Sequence, residues 1–307
     1  MINHFVDISD FKKSELKSII SFAKRIKNNP NKYKNLLQNK SLGMIFEKQS
    51  NRTRLSFDIG MKKIGGNVIE LEKKEIGYGK RESDSDMINV LSQYIDCLII
   101  RNNDHSKIKE LSRLNLLPII NGLSNFSHPC QILSDIFTIE EILGPIDKQN
   151  ITWLGDINNV LISLLQASHI FRFRLKIASP KALLLKNRSL INKFKSINIS
   201  FCSDPIEAIK GTDCVMTDVW TSMGEKKSVK KKKIFKNFQV NENLMQHTHK
   251  KTIFMHCLPA HRNEEVVDSV IDSKKSVVWQ QAQNRMYVQQ SILNCLLYTS
   301  PSQRDRG

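Results

Sequence analysis

The stretch ITWLGDINNVLISLLQASHIFRFRLKIA, residues 151–178, decides the fold class. Its first five residues form an apolar run of strand length that ends in glycine. From about Val160 to Phe171 apolar residues dominate a segment too long for a strand, which predicts a helix. LKIA (175–178) is again a short apolar run, so strand, helix and strand follow one another. Strands joined through a helix run parallel, and such sheets are covered by helices on both faces. The alternation continues in both directions. Toward the C-terminus, CVMTD (214–218), TIFMH (252–256) and VVW (277–279) predict strands, and Asn284 to Leu297 a closing helix. Asp204-Pro205 is an N-cap followed by proline at the first helical position. Toward the N-terminus, SLGMIF (41–46), NVIEL (67–71), DCLII (96–100) and LPII (117–120) predict strands, with helices over 54–64 and 131–143. An opening helix capped at Ser9 or Asp10 carries Leu16, Ile19, Ile20, Ala23 and Ile26 at helical spacing. Gly144-Pro145 breaks the pattern and places the end of a first domain at residue 143. The expected architecture is α/β with two domains, each holding a central, mainly parallel sheet flanked by helices.

Composition agrees with this architecture. A chain of 307 residues with 40% hydrophobic and 25% charged content has ample material for two cores. No apolar run approaches the roughly 20 residues of a membrane helix. The N-terminus MINHFVDISDF lacks the layout of a secretory signal. Cysteines 97, 130, 202, 214, 257 and 295 are scattered without a CxxC pair, which points to a reducing cytoplasm rather than to a disulfide scaffold or a zinc module. Lys plus Arg number 47 against 30 Asp plus Glu, a formal net charge of +17. The densest basic run, KKSVKKKK at 226–233, has no interleaved aromatic for base stacking and is read as a solvated loop, not a nucleic-acid site. The tail LYTSPSQRDRG (297–307) lacks an apolar pattern, resembles translated vector or adapter sequence and is not expected to belong to the fold.

Polar clusters recur where predicted strands end. Gln49 to Arg54 follows the first strand, Arg101 the third and His128 to Gln131 the fourth; Gly155 to Asn159, Asp218 and His256 to Pro259 follow strands of the second series. Ligands of open parallel sheets bind beyond the carboxyl ends of strands, so the recurrence predicts one composite site. The segment Ser50–Arg54 offers hydroxyls, guanidinium and free N–H groups at a helix start, a combination suited to phosphate, with a two-pronged contact from Arg52. The bland alternative is a helix N-cap with surface arginines. No nucleotide-binding glycine loop is present. Arg101 and His128 are candidate donors to a carbonyl oxygen that gains charge, although a histidine before proline is also a common core residue. Asp218 and Cys257 suit an amine substrate and its proton loss, although a lone cysteine is more often an apolar filler. His256, Cys257 and His261 are poorly spaced for a tetrahedral metal site.

At these residues the sequence resembles the aspartate/ornithine carbamoyltransferase family, and within it the ornithine branch. The resemblance runs from about Phe5 to Leu296. It rests on FEKQSNRTRLSF (46–57), HPCQ (128–131) and HCLPAHR (256–262), with NGL (121–123), GDINNV (155–160) and AQNRMY (282–287) in support. DVWTSMG (218–224), with its Ser222-Met223-Gly224 core, marks the ornithine branch.

The resemblance implies transfer of the carbamoyl group of carbamoyl phosphate to the side-chain amine of ornithine, giving citrulline and phosphate. Metal and organic cofactor are not required by that chemistry. Carbamoyl phosphate would be held by Ser50, Asn51, Arg52, Thr53, Arg101, His128, Gln131 and Arg285, together with Cys257 and the Leu258 carbonyl. Ornithine would be held by Asn159, Asp218, Ser222 and Met223, and Cys257 with Asp218 would position its reacting amine. The catalytic set so implied is Arg101, His128, Asp218, Cys257 and Arg285. The family architecture implies a second, ornithine-binding domain over 144–280, a helix in 281–307 returning to the carbamoyl phosphate domain of 1–143, and a homotrimer or an assembly of trimers. A carbamoyltransferase for another amine, such as putrescine, lysine or an acylated ornithine, is the alternative. The chain departs from the family pattern at Asn51 (usually Thr), Gly77 (commonly Gln), Met87 (usually Thr) and Gln283 (usually Glu).

Overall fold

The structure is a computed structural model that describes residues 4–47, 51–72, 83–221 and 229–298. Its chain divides into two compact units, Met1–Ser134 with Asn284–Gly307, and Asp135–Gln283.

The first unit is built on a four-stranded sheet in the order β2-β1-β3-β4, from β1 (Ser41–Phe46), β2 (Asn67–Glu70), β3 (Cys97–Arg101) and β4 (Ile119–Leu123). Every pairing in it is parallel, with Leu42 opposite Cys97 and Leu98 opposite Ile119. Phe5 extends beside β4, its N–H donating to Ile119 O at 2.8 Å and its carbonyl accepting from Asn121 N–H at 2.9 Å. The helices are α1 (Lys13–Asn28), α2 (Asn51–Lys63), α3 (Asp84–Leu91) and α4 (His105–Arg113); α5 (Pro129–Leu143) begins in this unit. Ile88, Leu91, Ile95, Leu98, Ile100 and Ile108 belong to its apolar core. Met87 is buried in the same cluster, which explains an apolar side chain where the family usually has threonine.

All five apolar residues expected on one face of α1 are buried. The expected caps are not its caps. Ser9 and Asp10 lie in a separate 3-10 turn, Ile8–Asp10, and the helix starts after Lys12. The reason is local: the Asp10 carboxylate turns back to accept the Asp7 N–H at 3.1 Å, while Glu15 accepts the Lys12 N–H at 2.7 Å and so opens the helix.

The second unit carries a five-stranded, wholly parallel sheet in the order β7-β6-β5-β8-β9. Its strands are β5 (Asn150–Leu154), β6 (Arg174–Ala178), β7 (Ile199–Cys202), β8 (Cys214–Thr217) and β9 (Ile253–His256). The stretch 151–178 forms β5, α6 (Asn159–Phe171) and β6, with Ile151 opposite Leu175. α6 is buried at every residue from Val160 to Ser168, so its sequence lacks a polar face. The shorter helices are α7 (Lys181–Lys186), α8 (Arg188–Phe194), α9 (Pro205–Ile209), α10 (Val229–Phe235), α11 (Glu242–Met245) and α12 (Asp268–Ile271). Asp204 caps α9 with Pro205 at its first position, as the dipeptide predicts.

Two elements differ from expectation. VVW (277–279) is not a strand: Val278 and Trp279 open the last helix, α13 (Val278–Tyr298), which therefore starts before Asn284. Just before it, Ser276 forms an isolated bridge to Phe254, with Val277 N–H donating to Phe254 O at 3.0 Å and Lys275 O accepting from Phe254 N–H at 2.8 Å. β7 escaped detection because it is an edge strand of which Ile199 alone is fully buried, so ISFC has no apolar signature. Among the described residues no helix is long and apolar enough to cross a membrane.

Candidate active site

In the first unit, three strand-to-helix turns supply the predicted anion-binding residues. Asn51 begins α2 and is exposed, Arg52 is half-buried and Thr53 is buried. Arg101 ends β3, opposite Phe46 of β1, and is only 7% exposed. His128 and Gln131 flank the start of α5, both buried. Arg285, buried on α13, donates from Nη2 to Thr53 Oγ1 at 2.9 Å and so joins the C-terminal helix to the first turn of α2.

The electrostatics tie these groups together. Burial lowers the Arg101 guanidinium to about 10, helped by the positive charges of Arg285 and Arg52. Burial likewise holds His128 well below the usual histidine value, and Arg285, Arg101 and Arg52 push it in the same direction. The imidazole is therefore neutral at physiological pH, able to donate one hydrogen bond without adding charge. Cys130, in the first turn of α5, is raised to about 12 by burial and is an apolar filler rather than a nucleophile.

In the second unit, Asp218 follows β8 and is 7% exposed. Its Oδ2 accepts from Asn158 Nδ2 at 2.7 Å and its Oδ1 from the Cys257 thiol at 3.0 Å. Asn158 is simultaneously the N-cap of α6, its Oδ1 accepting from the N–H groups of Val160 and Leu161, and Asn159 is the first residue of that helix. Gly155, between β5 and these residues, has φ +128°, a conformation that side-chain-bearing residues rarely adopt.

His256, Cys257 and Leu258 lie at the end of β9. The His256 N–H donates to Gln281 Oε1 at 3.0 Å, and its Nδ1 accepts the Leu258 N–H at 2.9 Å. The proton is thereby placed on Nε2, 3.1 Å from the fully buried Glu265 Oε1. Leu258 is held at φ +58°, in the left-handed region. Asp218, His256 and Cys257 lie close enough to share an ion, but both ring nitrogens of His256 are already engaged, so a metal would have to displace them.

Ser50, Ser222 and Met223 lie outside the described residues, as do Gly77 and the tail beyond Tyr298. Asn158 is expected only as a member of the Gly155 to Asn159 cluster, with no role of its own, and Glu265 and Gln281 are not among the expected residues. Asn158 carried a signal, an asparagine immediately before an apolar helix. Glu265 and Gln281 carried none, because their contacts arise only when the chain folds back on itself. The basic run also differs from a purely solvated loop: Lys231 pairs with Asp156 at 2.7 Å and Lys232 with Glu264 at 2.5 Å.

Comparison with known proteins shows the family. Residues 3–141 match the family model for the carbamoyl-P binding domain of aspartate/ornithine carbamoyltransferase, and residues 147–296 match its Asp/Orn binding domain. The chain is 44% identical to the ornithine carbamoyltransferase of Rhodopseudomonas palustris over 298 residues, covering 95% of this chain and 96% of that protein. It is 42% identical to that of Brucella suis over 309 residues, covering 100% and 97%. Among solved structures, ornithine carbamoyltransferase from Pyrococcus furiosus superposes with a TM-score of 0.89 at 37% identity, covering 97% of this chain and 98% of that one. The anabolic enzyme from Campylobacter jejuni does so with 0.88 at 34% identity, covering 97% and 100%. With both family models matched across nearly its whole length, the chain belongs to the aspartate/ornithine carbamoyltransferase family.

Proposed function

We infer that the protein is an ornithine carbamoyltransferase, which transfers the carbamoyl group of carbamoyl phosphate to the side-chain amine of L-ornithine and releases L-citrulline and phosphate. The observation that carries the reading is a division of chemistry between the two units. One gathers three guanidiniums around a neutral imidazole; the other holds a carboxylate against a thiol and an amide.

Arg52, Arg101 and Arg285, with Ser50, Asn51 and Thr53 at the start of α2, bind the phosphoryl group. His128 and Arg101 donate to the carbonyl oxygen, which gains negative charge as the amine attacks. Gln131 and the Leu258 carbonyl hold the carbamoyl nitrogen, and Cys257 closes the same end of the substrate. Asn159 and the Met223 backbone take the ornithine carboxylate, Asp218 and Ser222 its α-amino group. Asp218 and Cys257 orient the neutral side-chain amine. A nitrogen–carbon bond forms, the tetrahedral intermediate collapses, the carbon–oxygen bond to phosphate breaks, and the amine proton leaves with the phosphate. Positioning and charge complementarity carry the rate, as in other acyl-type transfers.

The same reading makes the protein a cytoplasmic homotrimer. Leu55 and Ile59 on α2 and Ile69 on the edge strand β2, each more than 40% exposed, support burial against a second copy. The six cysteines, free of disulfides, support a reducing compartment.

The test is citrulline formation from carbamoyl phosphate, with ornithine, putrescine, lysine and acylated ornithine compared side by side. Turnover with ornithine at least a hundredfold above the others is expected. Preference for an amine lacking a free α-amino group would overturn the assignments in the second unit and leave those in the first.

A further inference from the structure

We propose that Asp7 is a positioning residue for His128, acting through Ser127. The proposal rests on the reading of His128 as donor to the carbonyl oxygen.

His128 projects from the connection between β4 and α5, a stretch outside regular secondary structure. A group that must meet a reacting oxygen within a few tenths of an ångström needs its backbone fixed by more than the turn itself. Part of the support is local. Ser124 N–H donates to Ser127 O at 2.9 Å, Ser127 N–H donates to Ser124 Oγ at 3.1 Å, and the Asn121 amide reaches Ser127 O at 3.5 Å. On the far side, the His128 carbonyl accepts the N–H groups of Gln131 and Ile132 and is held by the first turn of α5.

The remaining support comes from the N-terminal segment. The Ser127 hydroxyl donates to Asp7 Oδ1 at 2.5 Å. Ser127 is fully buried and Asp7 is 1% exposed, so this carboxylate anchor lies inside the protein. A buried carboxylate is costly unless paired, and α4 supplies the pairing: His105 Nε2 lies 3.2 Å and Lys109 Nζ 3.6 Å from Asp7 Oδ2. His105 Nδ1 in turn lies 2.9 Å from Ser124 Oγ. Asp7, Ser127, Ser124 and His105 thus close a ring that grips both ends of the turn immediately before His128. Asp7 is itself fixed, its N–H held by Asp10 and its neighbour Phe5 hydrogen-bonded along β4. Fold stability alone would be served by a neutral acceptor for the serine. A charged, doubly braced one suits a backbone that must not shift, because a displacement of about 1 Å at a catalytic group costs on the order of a hundredfold in rate.

The experiment uses the full chain with Ser127→Ala, Asp7→Asn and the conservative Ser127→Thr. In citrulline formation, Ser127→Ala and Asp7→Asn are expected to lower kcat by roughly ten- to a hundredfold with the KM for carbamoyl phosphate changed less than about twofold, and Ser127→Thr to recover most of the loss. The second readout is the His128 ring signal in a carbon-13 histidine NMR spectrum, identified by its loss in His128→Asn. It should move in Ser127→Ala and Asp7→Asn and stay in place in Ser127→Thr. Unchanged kcat with an unmoved signal overturns the proposal, as does a loss confined to KM or to the folded fraction. A wild-type protein that makes no citrulline refutes the functional reading instead, and the NMR signal then decides the positioning claim alone.

Discussion

The two units hold their candidate residues in opposite ways. In the first, Arg52 and Arg285 act on Arg101, all three act on His128, and the result is a guanidinium lowered to about 10 and an imidazole kept neutral. Such a cluster stores repulsion that an incoming anion relieves. In the second, the polar groups satisfy one another: both oxygens of Asp218 are hydrogen-bonded, and Asn158 serves Asp218 and the α6 N-terminus together. One half is electrostatically primed and the other is preassembled. Removing a charge should therefore harm the ligand-bound state in the first unit and the empty protein in the second.

The largest expected effect breaks or confirms that contrast directly. Arg101→Met should lower kcat/KM for citrulline formation by about a thousandfold, the scale of losing an oxyanion-stabilising donor. The ligand-free variant should be no less stable than the parent in urea unfolding, because repulsion with Arg52 and Arg285 is relaxed. Asp218→Asn should behave in reverse. A loss of about a hundredfold in kcat/KM for ornithine is expected with carbamoyl phosphate binding intact, and with stability reduced by about 1–2 kcal/mol as the thiol and amide lose a charged partner. Equal stability changes in the two variants would dissolve the distinction.

This contrast also explains what could be read in advance. The parallel α/β architecture was legible because β5 and α6 are nearly continuous apolar runs buried along their length, and β6 alternates exposed Arg174 and Lys176 with buried Leu175 and Ile177. Arg52, Arg101 and His128 stood out as candidates because polar side chains beyond the ends of buried strands have few structural uses. β7 and the true start of α13 were not, since a half-exposed edge strand and a partly apolar helix start lack a distinctive period. The Glu265–His256–Leu258 chain was not legible either: its meaning depends on a carboxylate nine residues along the chain meeting a ring nitrogen in the folded state.

A smaller effect sharpens the account of His128. Its folded value is depressed by burial and by three arginines, so as pH falls protons bind the unfolded chain first. Stability contributed by the neutral ring is present above the ordinary value of about 6.5 and declines below it, by up to about 1.4 kcal/mol per pH unit. His128→Asn should flatten the fall in unfolding free energy between pH 7 and 5.5 by about 1 kcal/mol. A slope identical to the parent would mean that the ring titrates alike in the folded and unfolded protein, and the first unit would no longer be the primed half.

The smallest effect concerns the basic run that composition alone suggests is solvent-facing. Lys231 and Asp156 retain only 21% and 12% side-chain exposure, and Asp156 sits in the same loop as Asn158, just before Asn159 opens α6. An exposed pair contributes about 0–1 kcal/mol, and partial burial raises the cost of leaving one partner alone. Lys231→Ala and Asp156→Asn should each destabilise by about 1 kcal/mol, with the double variant losing less than the sum, because the coupling is removed once. If the preassembled half depends on that brace, the KM for ornithine rises a few-fold in both single variants at constant ionic strength. Changes that vanish at high salt in the parent would instead mark the run as a surface charge effect, since screening acts on exposed pairs far more than on half-buried ones.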